Sequence, residues 1–240
     1  MTGASRVLLA TGLTGTIGKA LVPRLHPSWH IIGIHRGSVN ASATSIDWIH
    51  ADLGDYTHLG ECVQQGLQNL GVTRLHGFLH LAGVVYSDSV LRTTGFEWEQ
   101  TFNVNVRAAF ELAKAIKPLL ASPASIVFVS SVDAIMAGNL GPAAAYGASK
   151  AGLEGLMRHL AAEWGSAGIR VNSVMVGALS EGMGVQKPED ARALSRHIAL
   201  GRLGQANEVV PAIRFLLDED LSPYVTGHTL RVDGGLNLTY

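Results

Sequence analysis

Short apolar runs alternate along the chain with longer stretches whose apolar residues recur at helical spacing. Arg6–Ala10, His30–His35, Ser45–His50, Leu75–Leu81, Ser125–Ser130, Ile169–Met175 and Thr229–Val232 read as strands. Runs that are apolar throughout, with no alternation, belong to strands buried on both faces of a parallel sheet. Between them, Trp98–Leu120 carries Phe102, Val106, Phe110 and Ala113 at helical spacing. Ala148–Trp164 does the same with Leu153, Leu156, Leu160 and Trp164. This order predicts an α/β fold, a doubly wound parallel sheet with helices on both faces and a ligand crevice at the carboxyl ends of the strands. No repeat, low-complexity tract or linker interrupts the pattern, so residues 1–240 are expected to form a single domain.

Composition narrows the class. Hydrophobic residues make up 47% of the chain and charged residues 15%, which excludes disorder and implies a filled core. A net charge of -1 argues against nucleic acid or an anionic membrane as the main partner. Cys62 is the single cysteine and cannot form an internal disulfide, so a reducing cytoplasm is the expected location. Met1 to Arg6 lacks a signal-peptide pattern, and no apolar run approaches the roughly 20 residues that cross a bilayer. The ten histidines show no metal-ligand spacing, and no metal is expected. Cys62, in a helical pattern with no basic neighbour in sequence, reads as a small buried hydrophobe.

The first strand runs into Thr11-Gly12-Leu13-Thr14-Gly15-Thr16-Ile17-Gly18, and a helical pattern continues from there through Leu25. Glycines in such a turn let the backbone approach a pyrophosphate, which the helix N-terminus then attracts. A glycine turn alone is a weak signal, but its place after the first strand of a βαβ unit favours cofactor binding over an empty tight turn. The second strand ends at His35-Arg36-Gly37, where an NAD enzyme of this architecture places a carboxylate for the ribose. A cation there suits the extra phosphate of NADP, so NADP(H) is favoured over NAD(H); a solvated surface arginine is the plainer alternative. Asp52-Leu53, after the third strand, reads as a grip on the adenine ring, or Asp52 as a helix cap.

Tyr146-Gly147-Ala148-Ser149-Lys150 carries the chemistry. Residues four apart share a helix face, and an ammonium beside a phenol is expected to lower the phenol's pKa and fit it for general acid/base work. Ser130-Ser131 closes the fifth strand at its carboxyl end, where a hydroxyl can bind a substrate carbonyl oxygen. Asp133 comes two residues later and reads as a turn-stabilising side chain before a substrate contact. Met175 and Met183 flank the expected pocket as ordinary gap fillers.

With these residues assembled, the chain resembles the short-chain dehydrogenase/reductases, and among them the 3-oxoacyl-carrier-protein reductases and related ketoreductases. The likeness runs from Val7 to about Leu236. It rests on Tyr146-Gly-Ala-Ser-Lys150-Ala-Gly, Gly168-Ile-Arg-Val-Asn172, Gly201-Arg-Leu-Gly204 and Val225-Thr-Gly-His-Thr-Leu-Arg-Val-Asp-Gly-Gly235. The resemblance implies a Rossmann-type sheet and a catalytic tetrad of Asn105, Ser131, Tyr146 and Lys150. Tyr146 would donate the proton, Ser131 orient the carbonyl oxygen, Lys150 bind the nicotinamide ribose and tune Tyr146, and Asn105 hold a relay water. It places the cofactor along Gly12, Thr14, Gly15, Thr16, Ile17 and Gly18, then His35, Arg36, Asp52 and Leu53. Leu81, Ala82 and Gly83 continue that path, with Tyr146, Lys150, Gly177 and Leu179 at the nicotinamide end.

The departures are specific. Gly15 and Thr16 exchange the usual order of glycine and non-glycine; His80-Leu81-Ala82-Gly83 replaces Asn-Asn-Ala-Gly; Val176-Gly177 replaces Pro-Gly; and Glu181 stands where a threonine often does. The first two resemble the superfamily's branch that modifies nucleotide sugars. Against that branch stand the short chain and the Val-Asp-Gly-Gly ending. The segment from Ser131 to Tyr146 is about two residues longer than usual, so the choice of Ser131 over Ser130 depends on the alignment. Residues 179–200 are expected to form a substrate lid, with Pro188, Glu189 and Asp190 starting a helix.

The expectation is an NADP(H)-dependent reductase of ketones, including 3-oxoacyl groups on a carrier protein. A cofactor-binding protein with little turnover, or a nucleotide-sugar enzyme, is the alternative. The helices of Trp98–Leu120 and Ala148–Trp164 are apolar over more than one stripe, and the resemblance implies that they pair with symmetry mates in a homotetramer or homodimer, with Leu236-Asn-Leu-Thr-Tyr240 in a second contact.

Overall fold

The computed structural model describes residues 6–25, 28–37, 46–137, 141–183, 187–236 and 238. Seven strands, β1 (Arg6–Thr11), β2 (Trp29–His35), β3 (Ile46–His50), β4 (Leu75–His80), β5 (Leu120–Ser131), β6 (Ile169–Val176) and β7 (Thr229–Val232), form one sheet. Their order is β3-β2-β1-β4-β5-β6-β7 and every pairing is parallel. The order reverses between β1 and β4, which opens the crevice at their carboxyl ends.

Two apolar layers sandwich the sheet. On one face lie α2 (Tyr56–Asn69), α4 (Ala108–Ile116) and α5 (Ala144–Trp164), packed on Leu9, Ile32, Phe78 and Phe128. On the other lie α1 (Thr16–Leu25) and α7 (Ala206–Leu217), packed on Leu8, Ile31, Leu79 and Val127. Neighbouring residues of one strand thus serve opposite layers, which is why these strands lack polar alternation. Phe78 and Phe128 are fully buried with ring centroids 6.3 Å apart, and burying each contributes roughly 1.5–3 kcal/mol.

All seven expected strands form, with Ser45 lying outside the described residues. The single helix expected over Trp98–Leu120 is broken into α3 (Gly95–Phe102), a π-helical turn (Asn103–Arg107) and α4. Pro118 falls in a short 3-10 turn that ends this run, and Leu120 already belongs to β5. The start of α3 is signalled by Thr94-x-x-Glu97, which forms a reciprocal capping box. Phe110 points outward at 44% exposure, because the π turn rotates the residues after it relative to an unbroken helical stripe. Cys62 is exposed, not buried; its thiol donates to the His50 carbonyl at 3.2 Å. In the lid, α6 (Pro188–Ser195) begins at the expected proline; residues 184–186 lie outside the described residues, as do Asn237, Thr239 and Tyr240 of the C-terminal segment.

Candidate active site

The crevice begins where β1 turns into α1. Gly12 has φ +72°, and a Cβ there would lie 2.6 Å from the Ala82 nitrogen, so this turn packs directly on the chain leaving β4. Gly18 packs equally tightly on Leu13. Gly15 continues the turn, its N–H bonded to the Gly12 carbonyl, and Thr16 opens α1. The side chain of Thr16 meets the lid: a Cβ on Gly182 would stand 2.9 Å from Thr16 Oγ1. Thr16, which stands where the resemblance implies a glycine, therefore lies close against the backbone at Gly182. Thr14 and Ile17 line the same turn.

Beneath it, Thr11 Oγ1 accepts from the Leu81 and Ala82 N–H groups at 3.2 and 3.1 Å. Its own proton then goes to His80 Nδ1, 3.1 Å away, which leaves the imidazole proton on Nε2. Burial holds the His80 pKa down to about 3, so the ring is neutral. Nε2 faces the carbonyls of Val104 and Asn105 in the π turn without a well-formed hydrogen bond to either. His80 thus links the glycine turn to the segment bearing Asn105, a link the sequence did not announce.

At the end of β2, His35 accepts the Gly37 N–H on its Nδ1 at 2.9 Å. Arg36 is exposed at the crevice rim. Asp52 accepts the Gly54 N–H at 2.9 Å and so holds a turn; the helix cap of α2 is Asp55, and Leu53 packs half-buried on the core. Gly177 leaves β6 pressed against Asp233, and Leu179 bridges to Gly204.

The four expected catalytic residues converge at the centre. Asn105 sits in the π turn, fully buried; its Oδ1 accepts the Val84 N–H at 2.8 Å while Nδ2 donates to the Val84 carbonyl and to Ser149 Oγ. That side chain thus holds the chain after Gly83 and ties it to α5 through Ser149. Ser131 ends β5, donates to Asp133 Oδ2 at 2.9 Å and accepts the Asp133 N–H at 3.2 Å. Asp133 is thus a turn former, as expected, and it also holds the serine proton. Ser130 Oγ, by contrast, is buried without a partner. It is the Ser131 hydroxyl that acts on Tyr146.

The expected lowering of the Tyr146 pKa is not what the site shows. Burial pushes the phenol up to about 12; its hydrogen bond with Ser131 opposes the rise and the Asp133 charge adds to it. The Lys150 ammonium stands 5.6 Å from the ring centroid. Lys150 itself is buried, and its pKa falls to about 8. It donates to the Val129 carbonyl at 2.8 Å, and its Nζ lies 3.4 Å from where a Cβ on Gly83 would be.

These residues fit a nicotinamide dinucleotide. A buried ammonium has three donors, and its bond to the Val129 carbonyl leaves two for ribose hydroxyls. The glycine turn leads into a helix N-terminus, the arrangement that receives a pyrophosphate. Beside the site, a cleft of about 760 Å³ opens between Asp133–Ala137 and the Ala144, Gly147, Ala148 and Ala151 face of α5. Among the described residues no three His, Cys, Asp or Glu side chains cluster as metal ligands, and no helix is long and apolar enough to cross a membrane.

Comparison with known proteins agrees with this geometry. The family model described as enoyl-(acyl carrier protein) reductase matches residues 35–237. A 3-oxoacyl-[acyl-carrier-protein] reductase of Thermotoga maritima is 37% identical over 186 residues, 76% of this chain and 73% of the relative. A short-chain dehydrogenase of Leptospira borgpetersenii with bound NAD+ superposes with a TM-score of 0.86 at 25% identity, covering 98% of this chain and 93% of the other. A blue fluorescent protein from a metagenomic library, in complex with NADPH, superposes with a TM-score of 0.87 at 27% identity, covering 98% of each chain.

Proposed function

Because this chain belongs to the short-chain dehydrogenase/reductase superfamily of NAD(P)-dependent oxidoreductases, we propose that it is an NADPH-dependent ketoreductase of 3-oxoacyl or related carbonyl compounds. The observation that carries the reading is the Ser131–Tyr146–Lys150 cluster at the carboxyl end of β5, beside the glycine turn, with its serine and lysine buried and its tyrosine half-buried.

A bound nicotinamide dinucleotide supplies the hydride for reduction. Tyr146, protonated throughout the neutral range because its pKa lies near 12, gives its proton to the carbonyl oxygen. Ser131 turns its hydroxyl from Asp133 to that oxygen and stabilises the charge developing there. Lys150 uses its spare donors on the ribose hydroxyls, while Asn105 keeps the π turn in register with the chain after Gly83. A protonated phenol and a charged lysine together favour reduction at neutral pH. Arg36 supports the NADPH preference, since no carboxylate stands at the end of β2. The carrier-protein substrate of the Thermotoga relative supports an acyl-thioester substrate here. The exposed Phe96 (67%) and Trp98 (45%) on α3, together with Phe110 on α4, support a symmetric homo-oligomer, a dimer or tetramer.

The test is NADPH oxidation over a panel of 3-oxoacyl thioesters, simple ketones and an enoyl thioester. Turnover of the ketones is expected, with kcat/KM falling as pH rises through about 8, where Lys150 loses its proton. Turnover confined to the enoyl thioester would overturn the ketoreductase assignment.

A further inference from the structure

We propose that Glu154 is a positioning residue for Lys150, a buried carboxylate one helical turn along α5 that keeps the lysine in its charged, ribose-binding form. The inference rests on the proposed role of Lys150 in holding the cofactor ribose. Residues 150 and 154 share a face of α5, and both are buried, at 3% and 4% exposure.

A carboxylate in that position costs several kcal/mol of lost hydration unless it is compensated. The neighbouring strands supply the compensation. Ser173 of β6 has its hydroxyl 2.8 and 2.9 Å from the two carboxylate oxygens. Thr229 of β7 donates to Oε2, and the two hydroxyls stand 3.0 Å apart. Two strands and a helix thus seat one buried carboxylate on the face of α5 that carries Lys150.

What remains is its effect on Lys150. Burial drives the lysine toward its neutral form, and the Glu154 charge opposes this; among the described residues it is the one ionised group that acts on Lys150 so. The other titratable groups facing the ammonium carry no compensating charge. His80 of β4 is neutral, and Tyr146 of α5 holds its proton. From β5 the ammonium meets a main-chain carbonyl, that of Val129. Asp133 exerts its charge on Tyr146 instead. Glu154 therefore sets the upper pH at which Lys150 still binds the cofactor.

The experiment is fluorescence titration of NADPH onto the full-length protein across about pH 6 to about 10, spanning the ordinary histidine-to-lysine range. Glu154→Gln keeps the shape and an acceptor for Ser173 and Thr229 but removes the charge. Its affinity should match the unaltered protein at the acid end, and the alkaline fall should begin about one pH unit or more lower. Near pH 8 the variant should bind about fivefold more weakly, approaching about tenfold at higher pH. Glu154→Met, neutral and of similar length, should shift the midpoint alike and serves if the glutamine variant does not fold. Ser173→Ala, which keeps the carboxylate, should leave the midpoint in place. A uniform loss of affinity at every pH, or an equal shift in Ser173→Ala, would mean a merely structural role and overturn the inference. If the unaltered protein binds neither NADPH nor NADH at any pH, the functional reading falls and this inference falls with it.

Discussion

The two ends of the crevice are built differently. Around α5, three of the side chains proposed for catalysis are held by hydrogen bonds: Lys150 by Val129, Asn105 by Val84 and Ser149, and Ser131 by Asp133. At the rim, Arg36 stands exposed after β2, and the start of the lid at Glu181, Gly182 and Met183 is exposed as well. On the proposed reading, the chemistry belongs to the buried centre, and the choice of cofactor and substrate to exposed side chains that can change at little cost to folding. The same fold can then serve many ligands, as loops on a fixed scaffold commonly do.

Substitutions at the two ends should therefore fail in different ways. Gly12→Ala strikes the rigid end. Its Cβ would collide with the Ala82 nitrogen at 2.6 Å while the backbone stays at φ +72°. Stability should fall by about 1–3 kcal/mol, and the displaced turn should weaken NADPH binding by about 10²-fold. Thermal unfolding and a binding titration measure both, and an unchanged affinity would show that the turn does not receive the cofactor. Arg36→Asp strikes the exposed rim and should leave the melting temperature within the scatter of surface substitutions. The NADPH-over-NADH ratio should fall by about 10- to 100-fold, the value of one charge-assisted hydrogen bond. A ratio that does not move, or a native protein that binds NADH as tightly as NADPH, would detach cofactor choice from this arginine.

The division also explains what the sequence could reveal. The strands were legible because a strand buried on both faces is apolar at every position, as in Leu8-Leu9-Ala10. Tyr146 and Lys150 were legible because a helix converts a spacing of four into a shared face. The π turn at Asn103–Arg107 was not, since a slip in backbone hydrogen bonding leaves composition and hydrophobic spacing almost unchanged. Nor was the Thr11–His80 pair, whose members lie 69 residues apart and meet only once β1 and β4 are neighbours. The direction of the Tyr146 pKa was hidden for a related reason: a spacing reveals a neighbouring charge but not the desolvation that pushes the phenol up. Glu154 was visible four residues beyond Lys150, yet only the strands show that it is buried beside it.

The central claim is that Tyr146 is the proton donor. Tyr146→Phe keeps the ring in its packing and removes only the hydroxyl, so its effect belongs to chemistry if single-turnover rates are measured with saturating NADPH and a ketone the native protein reduces. The expected result is a loss of about 10²–10⁴-fold in that rate with NADPH affinity nearly unchanged. A variant that reduces the same ketone at the native single-turnover rate would contradict it.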